Sequence, residues 1–234
     1  MSKNAKRLLP FAVLIILIVI VYVSNLHELF SLEWLQREHA RIKFLVDQHP
    51  VISPLIYIGF YVISVCLVIP DSTILTLLGG FVFPLPLAIA YAVISETLGS
   101  LIFYLVFASV FKLPGLKLKR PLVEKIDMQL KKSPAVYLLF LRISHVIPFW
   151  STNVIAAYFR IPAWTFTWTT FLGVIPLTYI LAEAGYSLSE KFQVKHHVQI
   201  EDVFTLQVKL ALLILGILMM TPLFYRKWLH RRKK

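Results

Sequence analysis

The chain has 234 residues, 58% of them hydrophobic and only 15% charged, a balance that excludes an ordinary soluble domain and describes an integral membrane protein. The formal net charge is +12, yet the lysines and arginines gather at Lys3 to Arg7, Lys112 to Lys132 and Arg226 to Lys234. Each group flanks an apolar run, as the positive-inside rule places cytoplasmic loops, so no nucleic acid is expected as a partner. The single cysteine, Cys66, rules out an internal disulfide or a cysteine-built metal cluster.

The first apolar run, Leu8 to Ser24, follows Lys3, Lys6 and Arg7. It is longer than a usual signal-peptide core and passes into Asn25-Leu26-His27-Glu28 without a small-x-small cleavage site. Residues 1–25 are therefore expected to be an uncleaved transmembrane helix. Residues 26–49 carry Leu29, Leu32, Leu35, Ile42 and Leu45 at helical spacing among charged neighbours, which predicts an amphipathic helix lying in the interface as an anchor. A core follows over 50–190, with apolar segments at 51–69, 72–83, 85–111, 135–147, 149–160 and 163–188. A spanning helix needs about 20 apolar residues, so the short pieces around Pro70 and Pro148 read as arms of two re-entrant hairpins, 51–84 and 135–160. Between the hairpins, 121–132 again sets Leu122, Val123, Ile126 and Leu130 opposite lysines. Residues 191–225 supply a loop and a C-terminal transmembrane helix, and 226–234 a basic cytoplasmic tail, with Tyr225 and Trp228 fitting an aromatic belt.

Charge tests this arrangement. If every long segment crossed, the basic stretch 112–134 would lie on the side opposite both basic termini. If 51–84 enters and leaves from outside and 135–160 from inside, all three basic stretches become cytoplasmic. The expected fold is thus an all-α integral membrane protein in which two opposed re-entrant hairpins form an inverted repeat.

The repeat is visible in the residues. Val68-Ile69-Pro70-Asp71-Ser72-Thr73 returns 78 residues later as Val146-Ile147-Pro148-Phe149-Trp150-Ser151-Thr152-Asn153. In each half a further proline stands 14 residues on, Pro84 and Pro162. The bland reading is coincidence, since Val-Ile-Pro is a cheap string in an apolar chain. The functional reading is that a proline at membrane depth frees backbone groups, which protein or a wet cavity must receive. Paired broken segments in two halves point to a transporter-like binding site.

Ionisable residues inside apolar segments are costly and are functional candidates. Here they are Asp71, Glu96, Arg142, His145 and Glu183. Arg142 offers a planar fork of donors suited to a phosphate or to a carboxylate, with Asp71 or Glu96 as its natural partner. Three residues apart, Arg142 and His145 are expected on one helix face. A buried ion pair that fixes hairpin packing is the structural alternative. Asp71, Ser72 and Thr73 after Pro70, and Ser151, Thr152 and Asn153 after Pro148, are cap-type residues. Two helix N-termini would then face one polar cavity able to take an anionic headgroup. Asp71, Glu96, His145 and Glu183 are candidates for a proton relay, Glu183 alternatively as an interfacial residue on a helix end and Glu96 as part of a small-residue packing face. Pro70, Pro148, Gly79 and Gly80 are assigned to breaking the hairpins, the two glycines also permitting close backbone approach. No metal pair, nucleophile turn or Walker loop is present, so no metal, no cofactor and no enzyme are expected. Lys112 with Arg120-Pro121 matches only a fragment of the first motif of membrane lipid phosphatases.

Taken as a set, Pro70, Gly79-Gly80-x-Val82-Phe83, Gly99 and Tyr104, then Arg142-Ile143-Ser144, Pro148-Phe149, Asn153, Phe166, Thr170, Gly173, Pro176 and Gly185, resemble the VTT-domain proteins of the DedA superfamily, the SNARE-associated Golgi proteins, over about 45–190. Pro84 departs from the usual glycine after Phe83, and His145 stands where a proline is common. The resemblance implies two re-entrant hairpins meeting in the membrane and movement of phospholipid or polyprenyl phosphate across a bilayer, coupled to protons in some members. It also implies Arg142 as a functional arginine and Asn153 as a site residue. The expected function is therefore a lipid translocase of the plasma membrane, scramblase or flippase-like, in a bacterium, with both termini cytoplasmic. Arg142, Asn153, Ser151 and Ser72 would bind the phosphate. An anionic lipid headgroup and protons are the expected partners, with self-association left open. A non-transporting membrane organiser and a small-ion or solute transporter are the alternatives.

Overall fold

The computed structural model describes residues 32–68, 72–111, 133–145, 147–194, 206–214 and 216. The expectations for the N-terminal helix, the 112–132 loop, the basic tail, Pro70 and Asp71 lie outside these residues. All regular structure among the described residues is helical. In chain order the helices are α1 (Leu32–Gln48), α2 (Ile52–Cys66), α3 (Ser72–Val82), α4 (Leu85–Val110), α5 (Pro134–Ser144), α6 (Phe149–Tyr158) and α7 (Ala163–Val194).

Proline sets most of these boundaries. It lacks the N–H an interior helical turn needs, but its fixed φ suits a helix start. The chain bends by 112° between α1 and α2, across His49-Pro50. Pro84 is the N-cap of α4, Pro148 that of α6, and Pro162 directly precedes α7. The long helices therefore begin at Leu85 and Ala163, keeping the offset seen between Pro70 and Pro148. Each hairpin tip carries a left-handed residue, Val68 (φ 55°) and His145 (φ 46°). A β-branched valine there is strained.

Among the described residues, α4 and α7 alone are long and apolar enough to cross a membrane. The hairpin arms have 15, 11, 11 and 10 residues. At 1.5 Å per residue the longest reaches roughly 22 Å, short of a hydrocarbon core of about 30 Å. The arms are exchanged between the halves. First arms lie on the long helix of their own half, α2 on α4 and α5 on α7. Second arms lie on the long helix of the other half, α3 on α7 and α6 on α4, while α4 and α7 also pack together.

Small residues make these crossings close. A Cβ on Gly80 of α3 would fall 1.9 Å from the Ala182 carbonyl oxygen of α7, and one on Gly185 equally near that of Leu77. Gly79 and Gly80 thus lie inside a continuous helix and serve packing; the expectation that they break the hairpin is corrected. Where α6 meets α4, Ala156 and Ala157 are fully buried beside Tyr104, whose ring stacks on Phe166 at 4.6 Å and whose hydroxyl donates to the Ile161 carbonyl. Tyr104→Phe keeps the stack and orphans a buried acceptor. It is expected to lower stability by about 1–3 kcal/mol, seen as a lower melting temperature in detergent; an unchanged melt would show that the hydroxyl contributes nothing.

On α1, Phe44 and Leu45 are 61% and 48% exposed beside charged neighbours. The expected C-terminal helix is described only from 206 to 214 and at 216, with Val208 buried against Ile180 and Ala184 of α7.

Candidate functional site

The two hairpin tips meet around a cavity of about 310 Å³. From the first hairpin come Val65, Val68, Ser72 and Thr73, and from the second His145, Pro148, Phe149 and Trp150. Glu96 of α4 and Val174, Leu177, Thr178 and Leu181 of α7 complete the wall. The first residues of α3 and of α6 therefore face one space, as the paired proline breaks predict. Unpaired N–H groups at such helix starts and their dipoles favour an anion.

A hydroxyl network surrounds the acid. The Tyr61 hydroxyl donates to Glu96 Oε1 at 2.8 Å, and Thr178 donates to Oε2 at 3.3 Å. Tyr61 also lies 2.7 Å from the Thr76 hydroxyl and 3.1 Å from the Ser72 carbonyl. The phenol has one proton. When it points to Glu96, Thr76 is left to donate to Tyr61 or, at 2.9 Å, to the Ser72 carbonyl. Four helices, α2, α3, α4 and α7, are joined through this group. Tyr57 adds a bond from its hydroxyl to the Leu75 carbonyl at 2.9 Å and an edge contact to the Tyr61 ring.

Arg142 builds a second centre behind the cavity wall. It sits in the last turn of α5, is 2% exposed, and is absent from the cavity lining. Nη2 donates to Asn153 Oδ1 and, at 3.1 Å, to the Thr170 hydroxyl. Nη1 makes a long 3.4 Å bond to the Phe149 carbonyl. The Phe149 ring, which lines the cavity, lies 4.2 Å from the guanidinium carbon, and the Phe166 ring 5.4 Å from it. Two N–H groups of the fork have no partner among the described residues. Gly173 of α7 lets α5 approach here, since a Cβ would stand 2.5 Å from that of Arg142.

Several expectations are corrected by this geometry. Among the described residues no carboxylate lies within salt-bridge distance of Arg142; an amide, a hydroxyl and two aromatic faces hold the fork, while Glu96, hydrogen-bonded in the hydroxyl network, still attracts it at longer range. Arg142 and His145 do not share a helix face, because the left-handed turn at His145 ends α5 and carries that side chain, exposed, to the cavity. The cap-type residues after Pro148 do not cap: α6 begins at Phe149 with no side-chain cap, which puts Ser151 and Asn153 inside the helix. Asn153 turns to Arg142, and Ser151 is half-buried and outside the cavity lining, whereas Ser72 lies in it. Glu183 is 3% exposed, hydrogen-bonded to Ser187 and outside the cavity lining. No group of three or more metal-ligating side chains occurs among the described residues.

Tyr61, Thr76, Trp150 and Thr178 received no site role from the sequence. The signal for Tyr61, Thr76 and Thr178 was a polar tip recurring inside apolar runs. Phe149 and Thr170 entered only through the family pattern, and their contact with Arg142 explains why they accompany it.

A profile described as the VTT domain matches residues 69–187. Transmembrane protein 41B of Gallus gallus is 29% identical over 187 residues, which cover 75% of this chain and 64% of the relative. The Homo sapiens protein of that name is 27% identical over 179 residues, 75% of this chain and 60% of the relative, and the Danio rerio one 29% over 137 residues, 57% and 49%. The chain thus spans less than two thirds of the length of these curated relatives. No solved structure matches it. The profile covers more than half of the chain and takes in both second arms, α4, α7 as far as residue 187, Glu96 and the Arg142 centre: this chain belongs to the VTT-domain, DedA-like family of membrane proteins.

Proposed function

We propose that the protein moves a phosphate-bearing lipid, phospholipid or polyprenyl phosphate, between the leaflets of a bilayer, with its hairpins entering from opposite faces and no covalent chemistry. The observation that carries this reading is the cavity between the hairpin tips, at which two helix N-termini, Ser72 and Glu96 converge and behind which a buried arginine keeps unpartnered donors. A lipid headgroup cannot cross hydrocarbon without shedding water at a cost of many kcal/mol. A cavity that sets Ser72, Thr73, Glu96, His145 and Thr178 among apolar side chains lowers that cost while the acyl chains stay outside. Movement of the Phe149 ring would bring the phosphate to the Arg142 fork, which suits its oxygens. Glu96 and His145 would take up or release the accompanying proton. A bacterial plasma membrane, with both termini cytoplasmic, is the proposed setting.

The test is transbilayer movement of acyl-labelled phospholipids and of a labelled polyprenyl phosphate in liposomes containing the purified full chain. Movement above protein-free vesicles is expected. Ion flux without lipid movement would replace this reading by that of a small-ion transporter. Neither activity, in well-folded protein, would replace it by that of a membrane organiser acting through its basic surfaces.

A further inference from the structure

Tyr61 holds one proton that three oxygens on two helices contest. Its hydroxyl is 2.8 Å from Glu96 Oε1 on α4, and 2.7 Å and 3.1 Å from the Thr76 hydroxyl and the Ser72 carbonyl on α3. The Thr76 hydroxyl is itself 2.9 Å from that carbonyl. Tyr61 and Thr76 are fully buried, so bulk water supplies no missing bond. Glu96 lines the cavity, where its proton can be exchanged. The protons present limit what each charge state allows. With Glu96 ionised, a charge-assisted bond draws the Tyr61 proton to Oε1. Thr76 then has one proton for two acceptors, the Tyr61 oxygen and the Ser72 carbonyl, so α3 keeps either its tie to Tyr61 or the extra bond within its first turn. With Glu96 protonated on Oε1, the acid donates to the phenol oxygen instead. The Tyr61 proton passes to Thr76, the Thr76 proton goes to the Ser72 carbonyl, and α3 has both bonds.

We infer that Tyr61 is a positioning residue that couples the charge of Glu96 to the hairpin arm α3. Protonation of Glu96 reverses the hydrogen-bond chain through the Tyr61 and Thr76 hydroxyls and fastens the first turn of α3, from which Ser72 and Thr73 face the cavity. This deepens the proposed function, and rests on it only in taking Glu96 as a group that gains and loses a proton. The other titratable or charged groups around Glu96, among the described residues, are Tyr57 of α2, Arg142 of α5, which attracts it at longer range, and His145 at the second tip. From α7 it receives the Thr178 hydroxyl. Tyr57 bonds α3 as well, at the Leu75 carbonyl, but makes no hydrogen bond to Glu96 among the described residues.

Hydrogen exchange and infrared difference spectra of the full chain in detergent, each at acid and at alkaline pH, test the coupling. After correction for the intrinsic pH dependence of exchange, the backbone N–H groups of residues 76–80 are expected to be about fivefold better protected at acid pH, the worth of one hydrogen bond. That difference is expected to vanish in Glu96→Gln and in Tyr61→Phe, and to persist in Tyr57→Phe, which removes a neighbouring bond to the same arm. Equal protection at both pH values, or a difference that survives Tyr61→Phe, would overturn the coupling. Better protection at alkaline pH would overturn it too, because an ionised Glu96 would then hold α3 through the helix dipole rather than through Tyr61. The infrared spectra need no variant at Tyr61. On acidification the unmodified chain is expected to gain the C=O band of a protonated carboxyl together with a shifted tyrosine C–O band, both absent from Glu96→Gln; the carboxyl band without the tyrosine shift would overturn the coupling. Neither readout depends on transport. Exchange switched by pH in a chain that moves no lipid keeps the coupling and overturns translocation, and exchange indifferent to pH in a chain that moves lipid does the reverse.

Discussion

Gly80→Ala is expected to lower the melting temperature of the detergent-purified protein by roughly 10 °C, and Gly80→Val to leave no monodisperse protein. The added methyl group would meet the Ala182 carbonyl oxygen at 1.9 Å and the Ala182 Cα at 2.8 Å. Backbone cannot rotate away as a side chain can, so α3 must lift from α7 along the most extensive interhelical contact among the described residues. Overpacking costs about 1–3 kcal/mol when side chains absorb it, and more when a backbone blocks the way. Gly185→Ala should behave alike, because its methyl group would meet the Leu77 carbonyl. Two neighbours calibrate the effect. A methyl group on Gly79 meets the Tyr57 hydroxyl, the free end of a movable side chain, so its cost is that ring's displacement and the bond to the Leu75 carbonyl, about 1 kcal/mol. Nothing lies within 4 Å of a methyl group on Gly59, and alanine there is expected to be neutral or slightly stabilising. The order Gly59, Gly79, Gly80 in increasing loss is the result to look for. Equal melting of Gly80→Ala and Gly59→Ala would mean that α3 does not sit on α7 as described.

That crossing positions the site. It holds the first turn of α3, with Ser72 and Thr73, at the cavity formed with the second hairpin. Exchange of the second arms brings the two tips together: were each hairpin to pack only on its own long helix, nothing would force the proline breaks to meet.

The breaks were legible because proline acts locally. Pro84 and Pro162 announce the starts of α4 and α7 by their missing N–H, and no tertiary knowledge is needed to read them. Arm length was legible too, since hydrocarbon thickness is a fixed ruler. The partners of Arg142 were not. The sequence offers the arginine a phosphate or a carboxylate, but it does not say how far α5, α6 and α7 are rotated about their axes. With Gly173 admitting α5, those rotations bring Asn153 and Thr170 to the guanidinium and leave Glu96 with Tyr61, 35 residues away along the chain. His145 was misplaced for a different reason. Helical periodicity extrapolates smoothly from Arg142, whereas the left-handed residue three positions on ends the helix. Glu183, offered as a proton-relay or interfacial residue, is 3% exposed and outside the cavity lining, because an acid in an apolar run does not say which face of α7 reaches the cavity.

Arg142→Ala is expected to abolish lipid movement, and Arg142→Lys to retain only a small part of it, because an ammonium keeps the charge without the planar fork. Loss in Arg142→Ala does not by itself separate binding from folding. Asn153 and Thr170 are each 1% exposed, and removing their shared partner leaves two buried polar groups at about 1–3 kcal/mol apiece. The separating variant replaces the whole cluster: Arg142→Met with Asn153→Leu and Thr170→Val. Exchanging a buried polar network for apolar groups of similar volume is often neutral or stabilising, where breaking it from one side is costly. If Arg142 only clamps α5 to α6 and α7, the triple variant folds with an unchanged melt and moves lipid as the unmodified protein does. If the fork binds the headgroup phosphate, the triple variant folds equally well and moves none. Full movement by that variant would remove the arginine from the mechanism and leave the helix N-termini at the hairpin tips as the anion site.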